Sequence, residues 1–460
     1  MATHESKPFF VNRKDIVFVK PSKSTPQEVL LLSTMDNDPT LEYIGQTIQV
    51  YKSNDLESPK DPVAVIKEAL SKVLVFYYPL AGMLKRHKND GRLRLYCNAG
   101  AGVPFLEASA NCKLSSLHYL DCLDIAVTKK LVFDRPDDEI DGDEEGCYYH
   151  PLLIQVTRFS CGGFTIGMGM SHSVCDGFGA AQFYRALAEL ASGKSEPTVN
   201  PVWERNRLLV TTPEEPKSLV DKAFLATSPH IPPSDVVHEF YNVSSESIKR
   251  LKKALRANES GENYTSFEIL AAYVARAKFR SLEMNLDGYT VLSFTANIRN
   301  HLSPHIPDGY YGNAFFEPRM IMIGKDLSEG PLLKVVKMIA NSKKKAITTE
   351  SIMTLLRNME WFIEKKVKSR VARGWTFFTD WRNLNLIEEV DFGWGASVNM
   401  IPLPFDVHGF IDLCVFMTPC RMDSLMKGGM RVFVSLPRAC MAKFKEEMDV
   451  LKRGEVNNLI

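Results

Sequence analysis

His172 closes an apolar run and is followed four residues later by Asp176 and then Gly177. From Phe164 onward the residues alternate: Phe164, Ile166, Met168, Met170 and His172 share one side, and Thr165, Gly167, Gly169 and Ser171 share the other. That is the period of a strand with one apolar face. Beyond the turn, residues 180 to 190 are rich in helix formers and end before Gly193 and Lys194, a helix-stop pattern. A histidine at a strand-to-helix turn can present its imidazole to a cavity while its backbone stays tied to regular structure. An unperturbed imidazole is half-charged close to neutral pH, which is what a general base requires. Asp176 has two roles open to it: it orients the ring, or it points away and pins the turn through an arginine. The spacing alone fits both. Cys175 lies in the same turn, but no second histidine stands near it in sequence to activate a thiol nucleophile.

A second cluster, Asp391-Phe392-Gly393-Trp394-Gly395, lies between Val390 and Ala396-Ser397-Val398. Tryptophan occurs only 5 times in 460 residues, so its place between two glycines is a specific feature. On local grounds it reads as a tight turn with an aromatic packed on the core, Gly393 and Gly395 taking backbone angles that other residues avoid.

The elements that must position these groups fall into two halves. Asp61-Pro62 starts a helix with an N-cap and a first-turn proline, and Val63, Ile66, Leu70 and Val73 mark its buried stripe. Residues 245 to 257 and 266 to 280 read as two amphipathic helices, the second capped at Thr265 or Ser266 with Glu268 in its first turn. Between the halves, residues 193 to 230 are poorly periodic and carry Pro197, Pro201, Pro213, Pro216 and Pro229, the composition of a long crossover. The expected division is residues 1–193, a linker over 194–230, and 231–460. The acidic run from Asp134 to Glu145 reads as a solvated loop without function.

Composition bounds the rest. A chain of 460 residues with 45% hydrophobic and 24% charged residues can bury a large core, which excludes a disordered or fibrous class. A net charge of +1 argues against nucleic acid or an anionic membrane as partner. The nine cysteines are scattered without CxxC or CxxH spacing, so no metal site is expected and the thiols are expected to be reduced. The first residues resemble no secretory leader and no apolar run reaches a bilayer span, so the cytoplasm is the expected location.

Taken together, the two motifs resemble the hallmarks of the plant BAHD acyl-CoA-dependent acyltransferases, HxxxDG and DFGWG. The resemblance extends to Leu32-Ser33-Thr34-Met35-Asp36, Tyr77-Tyr78-Pro79-Leu80-Ala81-Gly82, Gln155 to Phe159 with Cys161 to Phe164, and Gly309-Tyr310-Tyr311-Gly312-Asn313. It is nearest to the branch of benzyl-alcohol benzoyltransferases and taxane acyltransferases. Condensation domains share the histidine turn but commonly place a second histidine before it, where this chain has Ser171.

The resemblance implies an α/β fold of two similar chloramphenicol-acetyltransferase-like domains, with mixed sheets flanked by helices and an active-site channel between them. It implies direct acyl transfer: His172 takes the acceptor proton and returns it to the departing thiolate, with no acyl-enzyme. The family role of Trp394 is to donate its indole N–H to the developing oxyanion. Asp176 is then structural and paired with Arg299, and Asp391, Gly393 and Gly395 shape a loop. Thr379 and Trp381, just upstream, are candidates for the acceptor pocket. No permanently bound cofactor is implied. Acyl-CoA enters as co-substrate, and the expected protein is a monomer acting on small molecules. Arg382 is the only nearby arginine suited to an acidic acceptor, so a neutral or apolar alcohol is expected, with an amine or polyamine as the alternative. The chain departs from the usual pattern at Met83, where relatives carry arginine after Tyr-Pro-Leu-Ala-Gly, and at His301 after Asn300.

Overall fold

A computed structural model of the chain describes residues 8–53, 60–97, 100–122, 124–133, 148–217, 224–231, 235–256, 263–346, 348–366, 374–404 and 412–454. The acidic run from Asp134 to Glu145, Cys147 and the last six residues lie outside them. The chain forms two compact units. The first takes residues 1–209, 307–313 and 384–405, and the second takes 210–306, 314–383 and 406–460.

This division differs from the continuous halves expected from sequence, because two segments of the C-terminal half pack with the first unit. Strand Asn399–Pro402 pairs antiparallel with Ile44–Tyr51, setting Asn399 against Val50 and Pro402 against Thr47. Residues 307–313 are tied in by the Val202 N–H on the Gly309 carbonyl and the Tyr311 N–H on the Val202 carbonyl, both 2.9 Å. The segment carrying Asp391 to Gly395 therefore belongs to the same unit as His172. Hydrogen bonds to a sheet edge outweigh chain order in deciding where a segment folds.

The main sheet of the first unit runs Val11–Arg13, Val103–Ala110, Leu152–Arg158, Phe164–Ser171, Ile44–Tyr51, Asn399–Pro402, with Val17–Val19 also on Val103–Ala110. Only Val103–Ala110 and Leu152–Arg158 pair in parallel. The strand leading to the histidine lies between Leu152–Arg158 and Ile44–Tyr51, and all eight of its residues are buried. The alternation in sequence suggested one apolar and one polar face. Both faces are covered, and the small residues serve close approach instead: a Cβ on Gly167 would come within 2.2 Å of the Leu131 carbonyl oxygen. Helix Pro62–Val73 is capped by the Asp61 carboxylate on the Val63 N–H and buries Val63, Ile66, Leu70 and Val73. It packs on helix Gly177–Ala191, which follows the histidine turn.

The second unit has its own mixed sheet, ordered Val236–Val243, Met430–Pro437, Asp412–Met417, Trp375–Asp380, Tyr289–Phe294, Arg319–Ile323. Two of its pairings are parallel, Trp375–Asp380 with each of its neighbours. Helix Ser245–Arg256 is amphipathic as its spacing indicates. Helix Ser266–Ser281 carries the expected capping box between Thr265 and Glu268, but it is buried almost all round. Helices Leu332–Ala346 and Arg438–Arg453 pack on it within the same unit, which explains why its polar side is enclosed. There Arg276 binds the carbonyls of Leu327 and Gly330, and the Lys278 ammonium lies 3.3 Å from the Cys414 sulfur. Among the described residues no helix is long and apolar enough to cross a membrane.

Candidate active site

The histidine turn is anchored at each step by its backbone. The His172 N–H donates to the Tyr43 carbonyl at 2.9 Å, continuing the pairing of its strand with Ile44–Tyr51, and the Val174 N–H closes the turn on the Ser171 carbonyl at 3.0 Å. The Tyr43 ring lies 5.2 Å from the imidazole. Asp176 is 6% exposed and is the N-cap of helix Gly177–Ala191, its carboxylate accepting from the Gly179 N–H at 3.0 Å. Asp176 thus caps the helix start, a role that neither of the two sequence alternatives named.

Beneath the turn lies a buried network that the spacing of residues did not announce. Arg205 makes a 2.6 Å ion pair with Asp36 and a 2.7 Å hydrogen bond to the Val174 carbonyl. The Asp36 carboxylate also accepts from the backbone N–H of Ser33 at 3.1 Å, and from Asn313 through its backbone N–H at 2.9 Å and its side-chain amide at 2.8 Å. The same amide nitrogen donates to the His172 carbonyl at 2.7 Å. All three side chains are essentially inaccessible, Arg205 at 2% and Asp36 and Asn313 at 0%. A buried ion pair is tolerated only when further hydrogen bonds compensate its lost hydration, and Asp36 receives four donors. Burial works against the charge on Arg205, yet the Asp36 carboxylate, with Tyr310 and Cys175, holds the guanidinium above its ordinary pKa. Trp203 stacks over the guanidinium at 5.6 Å and contacts Tyr311 at 5.0 Å, roofing the pair with aromatic rings.

The electrostatics suit a base. Burial lowers the pKa of His172 below its ordinary 6.5, with the charge of Asp176, its own backbone, the Asn313 amide and the charge of Asp36 pulling the other way. A neutral ring at neutral pH is able to accept a proton. Cys175 is not a competing nucleophile: burial pushes its thiol up to about 12, and its sulfur sits 3.0 Å from that of Met170. No disulfide joins the described cysteines, and among the described residues no cluster of His, Cys, Asp or Glu could hold a metal ion.

The second motif folds as its glycines require but stands elsewhere. Gly393 and Gly395 take φ values of +99° and +81°, and the Asp391 carboxylate accepts from the Gly393 N–H at 2.7 Å. The turn is closed by a bridge between Asp391 and Ala396. Trp394 meets Phe164 edge-on at 5.1 Å, and Phe392 meets Tyr51 edge-on at 5.6 Å. Phe164 begins the strand that His172 follows, eight residues later, so the two ends are separated by about 26 Å at ~3.3 Å per residue. Tyr43 and Tyr51 mark the same two ends on the neighbouring strand. The Trp394 indole, expected from the resemblance to face the oxyanion, packs on Phe164 at the end of the strand remote from His172.

The remaining expected residues lie in the second unit. The Thr379 hydroxyl is 3.1 Å from that of Thr295, at the end of strand Trp375–Asp380, and the Trp381 backbone N–H donates to the Phe416 carbonyl at 2.8 Å. Arg382 is held in a two-point pair by Asp380, at 2.9 and 2.6 Å. Arg299 lies within hydrogen-bonding range of the Asn297 side chain and the Ala314 carbonyl, at 3.4 and 3.5 Å. The residues that sequence reasoning missed are Asp36, Arg205 and Asn313. Asp36 and Asn313 stood inside segments quoted for the family resemblance, whereas Arg205 looked like one more charge in a proline-rich crossover.

Known proteins resemble the chain throughout its length. A family model described as "Transferase family" matches residues 10–451. A spermidine coumaroyl-CoA acyltransferase of Arabidopsis thaliana is 40% identical over 98% of both chains, and a spermidine sinapoyl-CoA acyltransferase of the same plant is 38% identical over 97% of this chain and 98% of that protein. A benzyl alcohol O-benzoyltransferase of Petunia hybrida is 30% identical over 97% of this chain and 95% of that protein. The crystal structure of vinorine synthase shares the fold, with a TM-score of 0.72 at 22% identity, covering 94% of this chain and 96% of that one. With both motifs, the two mixed sheets and these relatives in agreement, the chain belongs to the BAHD family of acyl-CoA-dependent acyltransferases.

Proposed function

We propose that the protein transfers a hydroxycinnamoyl-type acyl group from its CoA thioester to a primary amine of an aliphatic polyamine of the spermidine class. The observation that carries the acceptor is the 40% and 38% identity, over nearly the whole chain, to two proteins named for spermidine and a hydroxycinnamoyl-CoA. The Arg382 guanidinium, which the sequence offered for an acidic acceptor, is paired with the Asp380 carboxylate, which is compatible with a cationic or neutral acceptor.

In this reading the acceptor amine attacks as its free base, its extra proton lost to solvent, and the neutral imidazole of His172 removes the remaining proton from the attacking nitrogen as the nitrogen bonds to the thioester carbonyl carbon. The C–S bond then breaks, the proton passes from the imidazolium to the departing thiolate, and free CoA leaves with the amide. The lowered pKa of His172 keeps the ring in the accepting form at neutral pH. A high thiol pKa at Cys175 supports transfer without an acyl-enzyme. A second reading, O-acylation of an alcohol, is favoured by the 30% identical benzyl alcohol O-benzoyltransferase. The deciding experiment is CoA release from coumaroyl-CoA, sinapoyl-CoA, benzoyl-CoA and acetyl-CoA with spermidine or benzyl alcohol, and mass spectrometry of the product. Amide formation with spermidine is the expected result. Turnover with the alcohol alone replaces this reading with the second, and turnover with neither acceptor overturns both.

A further inference from the structure

The residues under the histidine turn suggest more than support. Two carbonyls of the turn, those of His172 and Val174, are each held by a side-chain donor, Asn313 at 2.7 Å and Arg205 at 2.7 Å. Asp36 binds both donors, Arg205 at 2.6 Å and Asn313 at 2.8 Å. The result is a bracket that begins in an N-terminal turn, crosses to the 3-10 turn Arg205–Leu208 and returns through the segment 307–313, all within the first unit. The Asn313 amide has only two N–H donors, and both are taken, one by Asp36 and one by the His172 carbonyl. That fixes which way its oxygen faces. The oxygen is buried, and the Asn313 amide is placed to favour the protonated imidazole.

We infer that Arg205, Asp36 and Asn313 are positioning residues for His172: they lock the two turn carbonyls and so fix the direction in which the imidazole meets the acceptor. The inference rests on the acyl-transfer reading of His172. A buried charge pair costs hydration that apolar side chains of the same volume would not lose, and its value here is a turn that cannot rotate. A base displaced by about 1 Å loses on the order of 100-fold in rate.

The test compares Asn313→Ala, Arg205→Lys, His172→Ala and the double variant Asn313→Ala/His172→Ala with the natural enzyme, using full-length protein. Arg205→Lys keeps the charge opposite Asp36 but loses the fork that spans Asp36 and the Val174 carbonyl, and it serves if Asn313→Ala does not fold. The expected result is a fall in kcat of ~10- to 100-fold with KM for both substrates within about threefold, as loss of a transition-state alignment requires. The Asn313→Ala loss is expected to vanish when His172 is already alanine. A second readout needs no substrate: the rate at which diethyl pyrocarbonate modifies His172, followed by peptide mass spectrometry, is expected to rise in Asn313→Ala while other histidines are unaffected. If the natural enzyme turns over no acceptor, the functional reading fails, yet the modification rate still reads the bracket. Unchanged kcat, or an equal further loss in the His172→Ala background, or an unchanged modification rate at His172 overturns the inference.

Discussion

The strand Phe164–Ser171 has two ends built on opposite principles. At the end that runs into His172 the surroundings are polar and charged: Asp36, Arg205 and Asn313 are buried and bonded to one another, and Asp176 caps the next helix. At the other end Phe164 stacks on Tyr51 at 4.9 Å and meets the edge of Trp394, with a two-glycine turn behind them. Apolar packing is non-directional and tolerates small shifts, whereas hydrogen bonds to a carbonyl fix its direction. Both ends carry an equally conspicuous motif. One holds the turn that carries His172 by hydrogen bonds, and the other packs aromatic rings beside a glycine turn.

The contrast is broken most forcefully at His172. His172→Ala should lower kcat/KM by about 100- to 10,000-fold, the span of a lost general base, with a melting temperature near that of the natural protein. Equal losses of activity and stability would place this end in the same class as the other. At the Trp394 end the expected sign is reversed. Trp394→Phe should leave kcat within about threefold, since a packed ring replaces a packed ring, while Trp394→Ala should cost about 1–3 kcal/mol in urea unfolding for a half-buried aromatic. A collapse of kcat in Trp394→Phe without loss of stability would support the oxyanion role for the indole. Gly393→Ala should cost about 1–2 kcal/mol, because φ of +99° is strained for any L side chain even though a Cβ there meets nothing within 4 Å.

Two smaller effects sharpen the polar end. As the proposed base the His172 ring must be neutral, and burial holds its pKa below the ordinary 6.5. The contribution of the base should therefore be fully present at neutral pH and be lost only as pH falls through that lowered value, seen, once the ionisation of the acceptor is allowed for, as a further acid limb of kcat/KM beginning below 6.5. A limb centred above 6.5 would mean that the charges of Asp176 and Asp36 outweigh burial. The smallest expected effect is at Cys175, whose thiol is pushed up to about 12. Cys175→Ala should retain kcat within about threefold and iodoacetamide at pH 7 should not inactivate the enzyme, as an unreactive protonated thiol implies. Rapid inactivation at Cys175 would reopen the thiol route.

Local elements were legible because they are decided by neighbours in the chain. The helix caps at Asp61 and Thr265, the stop at Gly193 with φ of +100°, and the strand ending before His172 all follow from side chains acting within a few residues. What misled was inference across distance. The alternation in 164–172 suggested a polar face where both faces are buried, and the helix 266–281 looked half-exposed where neighbouring helices enclose it. Periodicity reports which side is more apolar, and it is silent on whether another layer covers the second side.

By itself the sequence determined the family, the turn that holds His172, and the glycine turn around Trp394, because each depends on residue types at short fixed spacings. Only the tertiary structure decided that residues 384–405 join the first unit, that Trp394 stands at the remote end of the histidine strand, and that Asp36, Arg205 and Asn313 meet under it. Arg205 and Asn313 stand 169 and 277 positions from Asp36 in the chain. No periodicity or local propensity spans such separations. Sheet pairing and the need to compensate buried charge bring them together, and both act only once the chain has folded.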